Sequence, residues 1–298
     1  MKQLHGVFAP VVTTFYRESG EVDVASFAAN IRAHLAAGLS GIVVTGSTGE
    51  AALLDNDERS ALTDAAREMV PRDKILLIGT GAESTRTCLR LTRDAASRGA
   101  DGVLVVAPHY YGSAMNDAAL RAHYLRVADS SPVPVVLYSI PKYMHFALSA
   151  SLVAELSKHQ NIIGIKDSSG NLEILNGYLP SQSDDFSVIT GNANTFHGAL
   201  HAGARGGILA AALFAATLSI DVYEAHQRGD ESSATAAQSR LTPLGAKIVG
   251  ELGVPGVKAA MDLVGLAGGP VRAPLASLTE AQLATVANLV QSAELVAA

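Results

Sequence analysis

One lysine in the chain occupies a position that suits covalent chemistry. Lys166 lies in the run IIGIKDSSG at residues 162–170, whose β-branched apolar residues predict a buried strand. Lysine is seldom buried because its ammonium group loses hydration there, and buried amines commonly shed the proton. A neutral amine inside a protein is a nucleophile for a carbonyl carbon. The alternative is a lysine whose stem follows the strand end while its ammonium group reaches water.

Two further motifs supply groups that suit such a lysine. Tyr138, in LYSIP, ends the preceding strand-like run, and its phenol can carry protons to and from an adduct on Lys166. The turn GSTGE at residues 46–50 offers backbone N–H groups and the hydroxyls of Ser47 and Thr48, which suit an anion such as a carboxylate. Each motif also has an ordinary interpretation: Tyr138 as an aromatic residue of the core, and GSTGE as a turn with a solvated Glu50.

Short β-branched runs alternate with amphipathic stretches up to about residue 217. The predicted strands span residues 6–15, 41–46, 75–81, 102–108, 133–141, 162–170, 186–192 and 206–213. Eight strand–helix units are the number in a closed (β/α)8 TIM barrel, and an open doubly wound sheet is the alternative. The strand ends of a barrel share one rim. We therefore expect Lys166, Tyr138, GSTGE and the run PHYYG at residues 108–112 to emerge together.

Helical patterns without further strands follow the predicted barrel. Thr279 and Gln282 have the spacing of a capping box at the start of the last helical segment. We divide the chain into a barrel catalytic domain, residues 1–225, and a C-terminal helical extension, residues 226–298, that forms a small bundle.

The composition excludes several classes of function. A net charge of −6 without any Lys/Arg run argues against binding to nucleic acid. The single cysteine, Cys88, excludes an intrachain disulfide and favours a reducing compartment, and its helical position predicts packing in the core. No apolar run reaches the ~20 residues needed to span a bilayer, and the N-terminus lacks a signal-peptide core. We expect a cytoplasmic protein without membrane contact.

Two motifs resemble cofactor or metal sites only weakly. GTGAES at residues 79–84 has part of a dinucleotide fingerprint, but Ser84 stands where the third glycine belongs. His197 and His201 are four residues apart on a predicted helix, a spacing that can bind a metal ion. No third ligand accompanies them in the sequence, so solvated histidines are expected. The prediction is chemistry with no metal and no organic cofactor.

Together these motifs resemble the dihydrodipicolinate synthase/N-acetylneuraminate lyase superfamily, whose members handle pyruvate through a Schiff base. The resemblance covers essentially the whole chain and is carried by GSTGE, YSIP, GIKDSSG and the late segment GVPGVKAAMDLVGLAGGPVRAPL at residues 253–275. Within that superfamily the sequence is most similar to 4-hydroxy-2-oxoglutarate aldolase. The resemblance implies a homotetramer built from dimers. It also implies a class I aldolase that cleaves or forms a 4-hydroxy-2-oxo acid, with pyruvate and an aldehyde, glyoxylate in this case, as partners.

The resemblance implies a role for each matching residue. Lys166 is implied to form the imine with the 2-oxo acid, with Tyr138 as the adjacent acid/base. Ser47 is implied to link Tyr138 to Tyr110, which a neighbouring subunit supplies. The residues implied to bind the 2-oxo acid are Gly46, Thr48, Ser168, Gly191 and, through its carbonyl group, Ile208.

The segment after the fifth strand departs from the pattern of dihydrodipicolinate synthases. Those enzymes usually carry an arginine two residues after the proline, whereas Pro141 is followed here by Lys142 and Tyr143. The fork-shaped contact of arginine with a second carboxylate is therefore missing. We expect Lys142, Tyr143 and His145 to form the acceptor pocket. The alternatives are an aldolase or dehydratase for sugar-derived 2-oxo acids, 4-hydroxy-tetrahydrodipicolinate synthase, and a non-catalytic small-molecule binding protein.

Overall fold

Eight parallel strands close into a barrel in the computed structural model, which describes residues 3–296. Strands β1–β8 span Gly6–Pro10, Gly41–Val44, Ile75–Gly79, Gly102–Val106, Val135–Ser139, Ile162–Asp167, Ser187–Thr190 and Gly206–Ile208. Each strand pairs with its sequence neighbours, and β8 also pairs with β1. The two strands approach closely, since a Cβ on Gly206 would lie 2.1 Å from the carbonyl oxygen of Gly6. The predicted TIM barrel is confirmed, and the open sheet is excluded.

Helices surround the barrel and continue beyond it. Within the described chain, α1–α12 span Val24–Ala36, Asn56–Met69, Thr85–Ser97, Asp117–Ser130, Pro141–Met144, Ala150–Leu156, Leu172–Tyr178, Phe196–Ala202, Ala216–Gln227, Glu231–Pro243, Gly253–Leu263 and Glu280–Ser292. Side-chain caps fix where several of them begin. At α12, Gln282 N–H donates to the Thr279 hydroxyl oxygen while Thr279 N–H donates to the Gln282 side chain. The predicted capping box is confirmed.

The strands end earlier at their carboxyl ends than the sequence pattern predicts. Strand β2 stops at Val44 because Thr45 has a φ of 52°, which takes the chain out of the sheet. Strand β8 stops at Ile208, and Ala210–Leu213 coils into a 3-10 turn instead of extending the strand. The second run is apolar to its end, so its composition hides the change, and in the first run the β-branched Thr45 is also compatible with a strand. The loops that carry the polar residues start at these points.

The C-terminal helices are present as predicted and pack onto the barrel. Helix α10 packs against α9, and α11 against α12. Helix α10 runs directly into a π-helical segment, Leu244–Leu252, that the sequence pattern does not predict. The division of the chain at residue 225 stays a prediction. Residues 1–2 and 297–298, at the outer ends of the two predicted domains, lie outside the described residues.

Two structural observations concern the single cysteine and the apolar character of the helices. Cys88 is fully buried on α3, as predicted for a packing role, and burial raises the pKa of its thiol to about 12. Across residues 3–296, no helix combines the length and apolar character needed to cross a membrane.

Candidate active site

Lys166 and Tyr138 lie side by side where β5 and β6 end. The two are register partners on adjacent strands, and they are only 5% and 4% exposed. The Lys166 Nζ lies 4.2 Å from the centre of the Tyr138 ring. Within the described chain no carboxylate forms a salt bridge with this nitrogen. The alternative of a solvated ammonium group is therefore excluded, and the amine is buried beside a phenol without a counter-ion.

Gly191, directly after β7, makes room for the Lys166 side chain. A Cβ on Gly191 would lie 2.7 Å from Lys166 Cε and 1.9 Å from Ser168 Oγ. The Gly191 N–H donates to the carbonyl of Asp167 at 2.6 Å, and the Ser168 N–H donates to the carbonyl of Ser139 at 2.8 Å. These bonds hold both loops against the strand ends, so a larger residue at position 191 would displace the amine.

Asp167 fixes the loop that follows the lysine. Its buried carboxylate accepts the N–H of Ser169 at 3.1 Å and the Ser169 hydroxyl at 2.7 Å. Burial raises the pKa of Asp167, and the two bonds from Ser169 act in the opposite direction. Asp167 does not line the cavity beside Lys166, so its contacts shape the loop and leave the chemistry to its neighbour.

The GSTGE turn is held in an uncommon backbone conformation. Thr45, which precedes the turn, and Glu50, its last residue, have φ values of 52° and 55°, which few residues other than glycine adopt. The Thr13 hydroxyl donates to the Gly49 carbonyl at 2.7 Å and anchors the turn to the loop after β1. Such strain persists only where surrounding contacts enforce it, and it is typical of functional sites.

The same turn presents unpaired hydrogen-bond donors. Ser47 and Thr48 line the cavity beside Lys166. Across residues 3–296, neither their N–H groups nor their hydroxyls form a hydrogen bond with the protein. Two N–H groups and two hydroxyls facing one cavity suit a carboxylate.

A buried ion pair ties this turn to the C-terminal extension. The Glu50 carboxylate is fully buried and lies 2.5 Å from the Nζ of Lys258, whose side chain is 2% exposed. Glu50 also accepts the N–H of Arg272 at 2.8 Å, and Lys258 donates to the carbonyl of Pro270 at 2.6 Å. Burial lowers the pKa of Lys258, while the charge of Glu50 acts in the opposite direction. The interpretation of GSTGE as a turn with a solvated Glu50 is therefore wrong.

Most of the predicted site residues line two adjoining cavities. The smaller, of about 120 Å³, is lined among others by Ser47, Thr48, Tyr138, Lys142, Tyr143, Lys166, Ser168, Gly191 and Ile208. The larger, of about 880 Å³, shares Ser47, Tyr138 and Tyr143 with the first and also includes Gly46. The structure thus brings together the amine, the phenol and the turn.

The C-terminal extension contributes a wall that the sequence analysis missed. Gly245, Val249 and Gly250 of the π-helical segment line the smaller cavity, together with Val254 and Val257 of α11. Asn192, one residue after Gly191, lines it as well. In the sequence, this wall was indicated only by the segment at residues 253–275, which resembles the corresponding segment of the superfamily.

Two predicted residues lie outside both cavities. Tyr110 is 77% exposed, and its ring packs edge-on against Tyr111 at 5.0 Å between ring centres. Within the described residues, no hydrogen bond links Ser47 to Tyr138 or Tyr110, so a single chain does not form the predicted relay. His145 is exposed at the end of α5. The structure therefore does not bring His145 into the acceptor pocket.

Lys142 lies at the cavity wall, where its charge is already engaged. Its Nζ donates to the carbonyl of Gly250 at 2.7 Å and lies 5.8 Å from the centre of the Tyr143 ring. Among the described residues that line the smaller cavity there is no arginine. The fork-shaped contact is therefore missing from the wall of the smaller cavity. Arg59 lines the larger cavity, where it donates to the carbonyls of Ala51 and Gly79.

The two histidines on α8 differ in their surroundings. His201 is exposed, as expected. The His197 side chain is 14% exposed and lies against Glu231, so the expectation of a solvated residue is wrong for His197. Neither histidine lines the cavities.

Comparisons with known proteins cover nearly the whole chain. The Dihydrodipicolinate synthetase family profile matches residues 3–293. The 4-hydroxy-tetrahydrodipicolinate synthase of Methanoculleus marisnigri is 37% identical over 279 residues, which are 93% of this chain and 95% of that protein. The enzyme of the same name from Acidiphilium cryptum is 34% identical over 277 residues, 93% of this chain and 94% of its own length.

Solved structures with similar folds have related names. Dihydrodipicolinate synthase DapA-2 from Bacillus anthracis superimposes with a TM-score of 0.93 at 29% identity, covering 98% of this chain and 99% of that one. YagE, a prophage protein of the dihydrodipicolinic acid synthase family from E. coli K12 solved in complex with pyruvate, gives 0.92 at 30% identity, with coverages of 98% and 99%. The chain belongs to the dihydrodipicolinate synthetase family.

Proposed function

We propose that the protein is a pyruvate-dependent class I aldolase whose substrate is 4-hydroxy-2-oxoglutarate. The observation that carries the proposal is the buried amine of Lys166 beside the Tyr138 phenol, in a cavity that also contains the unpaired donors of Ser47 and Thr48. The complex of the E. coli relative with pyruvate supports a 2-oxo acid as the ligand of this cavity.

The proposed reaction begins at the amine. The Lys166 amine attacks the C2 carbonyl of the 2-oxo acid, whose carboxylate accepts hydrogen bonds from the Ser47–Thr48 turn. Loss of water gives a protonated imine, which withdraws electrons from the carbon chain. Tyr138 takes the proton of the 4-hydroxyl group and the C3–C4 bond breaks, releasing glyoxylate. Protonation of the remaining enamine and hydrolysis of the imine release pyruvate and restore the lysine.

We also propose that a second copy of the chain completes the site. Tyr110 and Tyr111 are exposed aromatic residues on a loop whose backbone is held by Glu83, which accepts the Tyr110 N–H at 2.8 Å. An ordered loop with two exposed aromatic rings suits burial against another subunit. A homotetramer in which this loop supplies Tyr110 to a neighbour's relay fits these observations.

A second candidate function is 4-hydroxy-tetrahydrodipicolinate synthase, which condenses pyruvate with aspartate semialdehyde. The printed names of the relatives from Methanoculleus marisnigri and Acidiphilium cryptum favour it. The acceptor side of the cavity argues against the synthase, because Tyr143 occupies the place of the arginine that usually binds the carboxylate of the semialdehyde, and the Lys142 charge is engaged by the Gly250 carbonyl.

The two functions are separated by a substrate comparison. We expect release of pyruvate from 4-hydroxy-2-oxoglutarate, followed with a lactate dehydrogenase-coupled assay, to have a higher kcat/KM than condensation with aspartate semialdehyde.

We expect Tyr143→Arg to raise kcat/KM for the condensation roughly 10- to 100-fold, which corresponds to the free energy of a hydrogen bond to a charged group. Tyr143→Lys is the matched control, since it adds charge without the fork geometry, and should gain less. A wild-type protein that condenses the semialdehyde faster than it cleaves 4-hydroxy-2-oxoglutarate would reverse the assignment.

A further inference from the structure

A cluster of histidines lies where three helices meet, outside both cavities. His197 of α8, His226 near the end of α9 and Glu231 at the start of α10 bring one ligand atom each to within 4.8 Å of one another. The Nε2 of His197 lies 3.1 Å from Glu231 Oε2, and the Nδ1 of His226 lies 3.9 Å from Oε1. His201, one turn beyond His197, places its Nδ1 3.9 Å from the same Oε1. Three imidazole groups therefore surround one carboxylate.

Two of these nitrogens are closed off from solvent without a hydrogen bond. Among the described residues, neither His197 Nε2 nor His226 Nδ1 has a hydrogen-bond partner, and the contacts of both with Glu231 are ion-pair contacts only. The two rings meet nearly edge-on, with 6.0 Å between their centres. Buried polar atoms without partners are uncommon in folded proteins, and an ion bound between these nitrogens would give both of them a partner.

The surrounding contacts fix the cluster before any ligand binds. The backbone N–H of His197 donates to Gln238 Oε1 of α10 at 2.9 Å, and Gln238 Nε2 donates to the Ala193 carbonyl at 2.9 Å. These bonds join the start of α8 to the helix that carries Glu231. Burial lowers the pKa of His226, opposed by Glu231 and assisted by His197 and His201.

We propose that His197, His226 and Glu231 bind a divalent transition-metal ion, Zn²⁺ in particular, which joins α8 and α9 to α10. Ligand atoms in a tetrahedral site with bonds of about 2.0–2.1 Å lie roughly 3.3–3.4 Å apart. The three ligand atoms here lie within 4.8 Å of one another, so rotation of the side chains must draw them together around the ion. Two imidazole groups with one carboxylate suit Zn²⁺ or Co²⁺ and not Mg²⁺ or Ca²⁺. His201 reaches the fourth position by rotation of its exposed side chain.

Direct titration of the full-length protein tests the site. Protein without a histidine tag is treated with a chelator, dialysed and titrated with Zn²⁺ by calorimetry and with Co²⁺ by visible absorption. We expect one ion per chain, the intense d–d bands of tetrahedral Co²⁺, and an unfolding temperature that rises when Zn²⁺ is added. Glu231→Gln and His226→Ala should each weaken binding at least about tenfold, since each removes a ligand.

The matched control is His159→Ala. His159 also lies 3.1 Å from a carboxylate, that of Asp129, but no second histidine shares this carboxylate in the described structure. We expect this variant to bind Zn²⁺ like the wild type. Wild-type protein that binds no stoichiometric ion, or equal affinity in the wild type and Glu231→Gln, overturns the proposal. Glu231 is half-exposed, so Glu231→Gln should fold. Its affinity for Zn²⁺ can then be compared with that of the wild type even if His226→Ala does not fold.

Discussion

Tyr138→Phe is expected to lower kcat for aldol cleavage about 10²- to 10⁴-fold, the usual contribution of a positioned acid/base. The variant removes only the hydroxyl. The phenyl ring that lies 4.2 Å from Lys166 Nζ stays in place, so the packing around the amine is retained. Since the imine forms on Lys166 itself, the variant should still give a borohydride-trapped adduct with pyruvate, at a lower rate.

Tyr143→Phe is the matched control for this experiment. Tyr143 lines the same cavity but has no register contact with the lysine, so loss of its hydroxyl should change kcat less than about tenfold. Steady-state kinetics on both variants give the comparison. Equal losses, or a Tyr138→Phe enzyme with more than about a tenth of wild-type kcat, would remove Tyr138 from the proposed role.

Lys258→Met is expected to cost about 3–5 kcal/mol of the free energy of unfolding. The change leaves the Glu50 carboxylate fully buried, and among residues 3–296 the N–H of Arg272 is then its only hydrogen-bond partner. A buried charge without its counter-ion is strongly destabilising, whereas replacement of both partners can be close to neutral. Urea unfolding at pH 7.5 measures the loss.

The double variant Lys258→Met/Glu50→Gln separates charge burial from packing. Glutamine keeps the acceptor for the Arg272 N–H without a charge, so the double variant should recover at least about half of the lost stability. We also expect weaker substrate binding in Lys258→Met, because Glu50 ends the turn that presents Ser47 and Thr48. A single variant as stable as the wild type would show that the ion pair is not a structural link.

The barrel and the centre of the site could be predicted because their signals are local. β-Branched runs alternate with helical patterns, and each of the eight predicted strands exists. Lys166 stands out because a charged residue interrupts an apolar strand, and Tyr138 because it ends the strand before it. The parallel register then places the two side by side. Strand ends were predicted poorly because apolar residues such as Ala210–Leu213 continue into turns.

The remaining parts of the site depend on contacts between distant segments. Lys258 lies on a helix whose pattern alone does not show that its side chain meets Glu50 near the other end of the chain. The π-helical wall at Leu244–Leu252 follows from packing over the rim, which no local motif specifies. The cluster at Glu231 was missed because two of its three ligands, His226 and Glu231, come from helices other than the one that carries His197.

The central claim is that Lys166 forms an imine with a 2-oxo acid. The most direct test is mass spectrometry of the protein after incubation with pyruvate and sodium borohydride, beside Lys166→Ala treated in the same way. We predict one adduct of reduced pyruvate per chain, located on Lys166 by peptide mapping and missing from the variant. A wild-type protein without the adduct, or an adduct that persists in Lys166→Ala, would contradict the account.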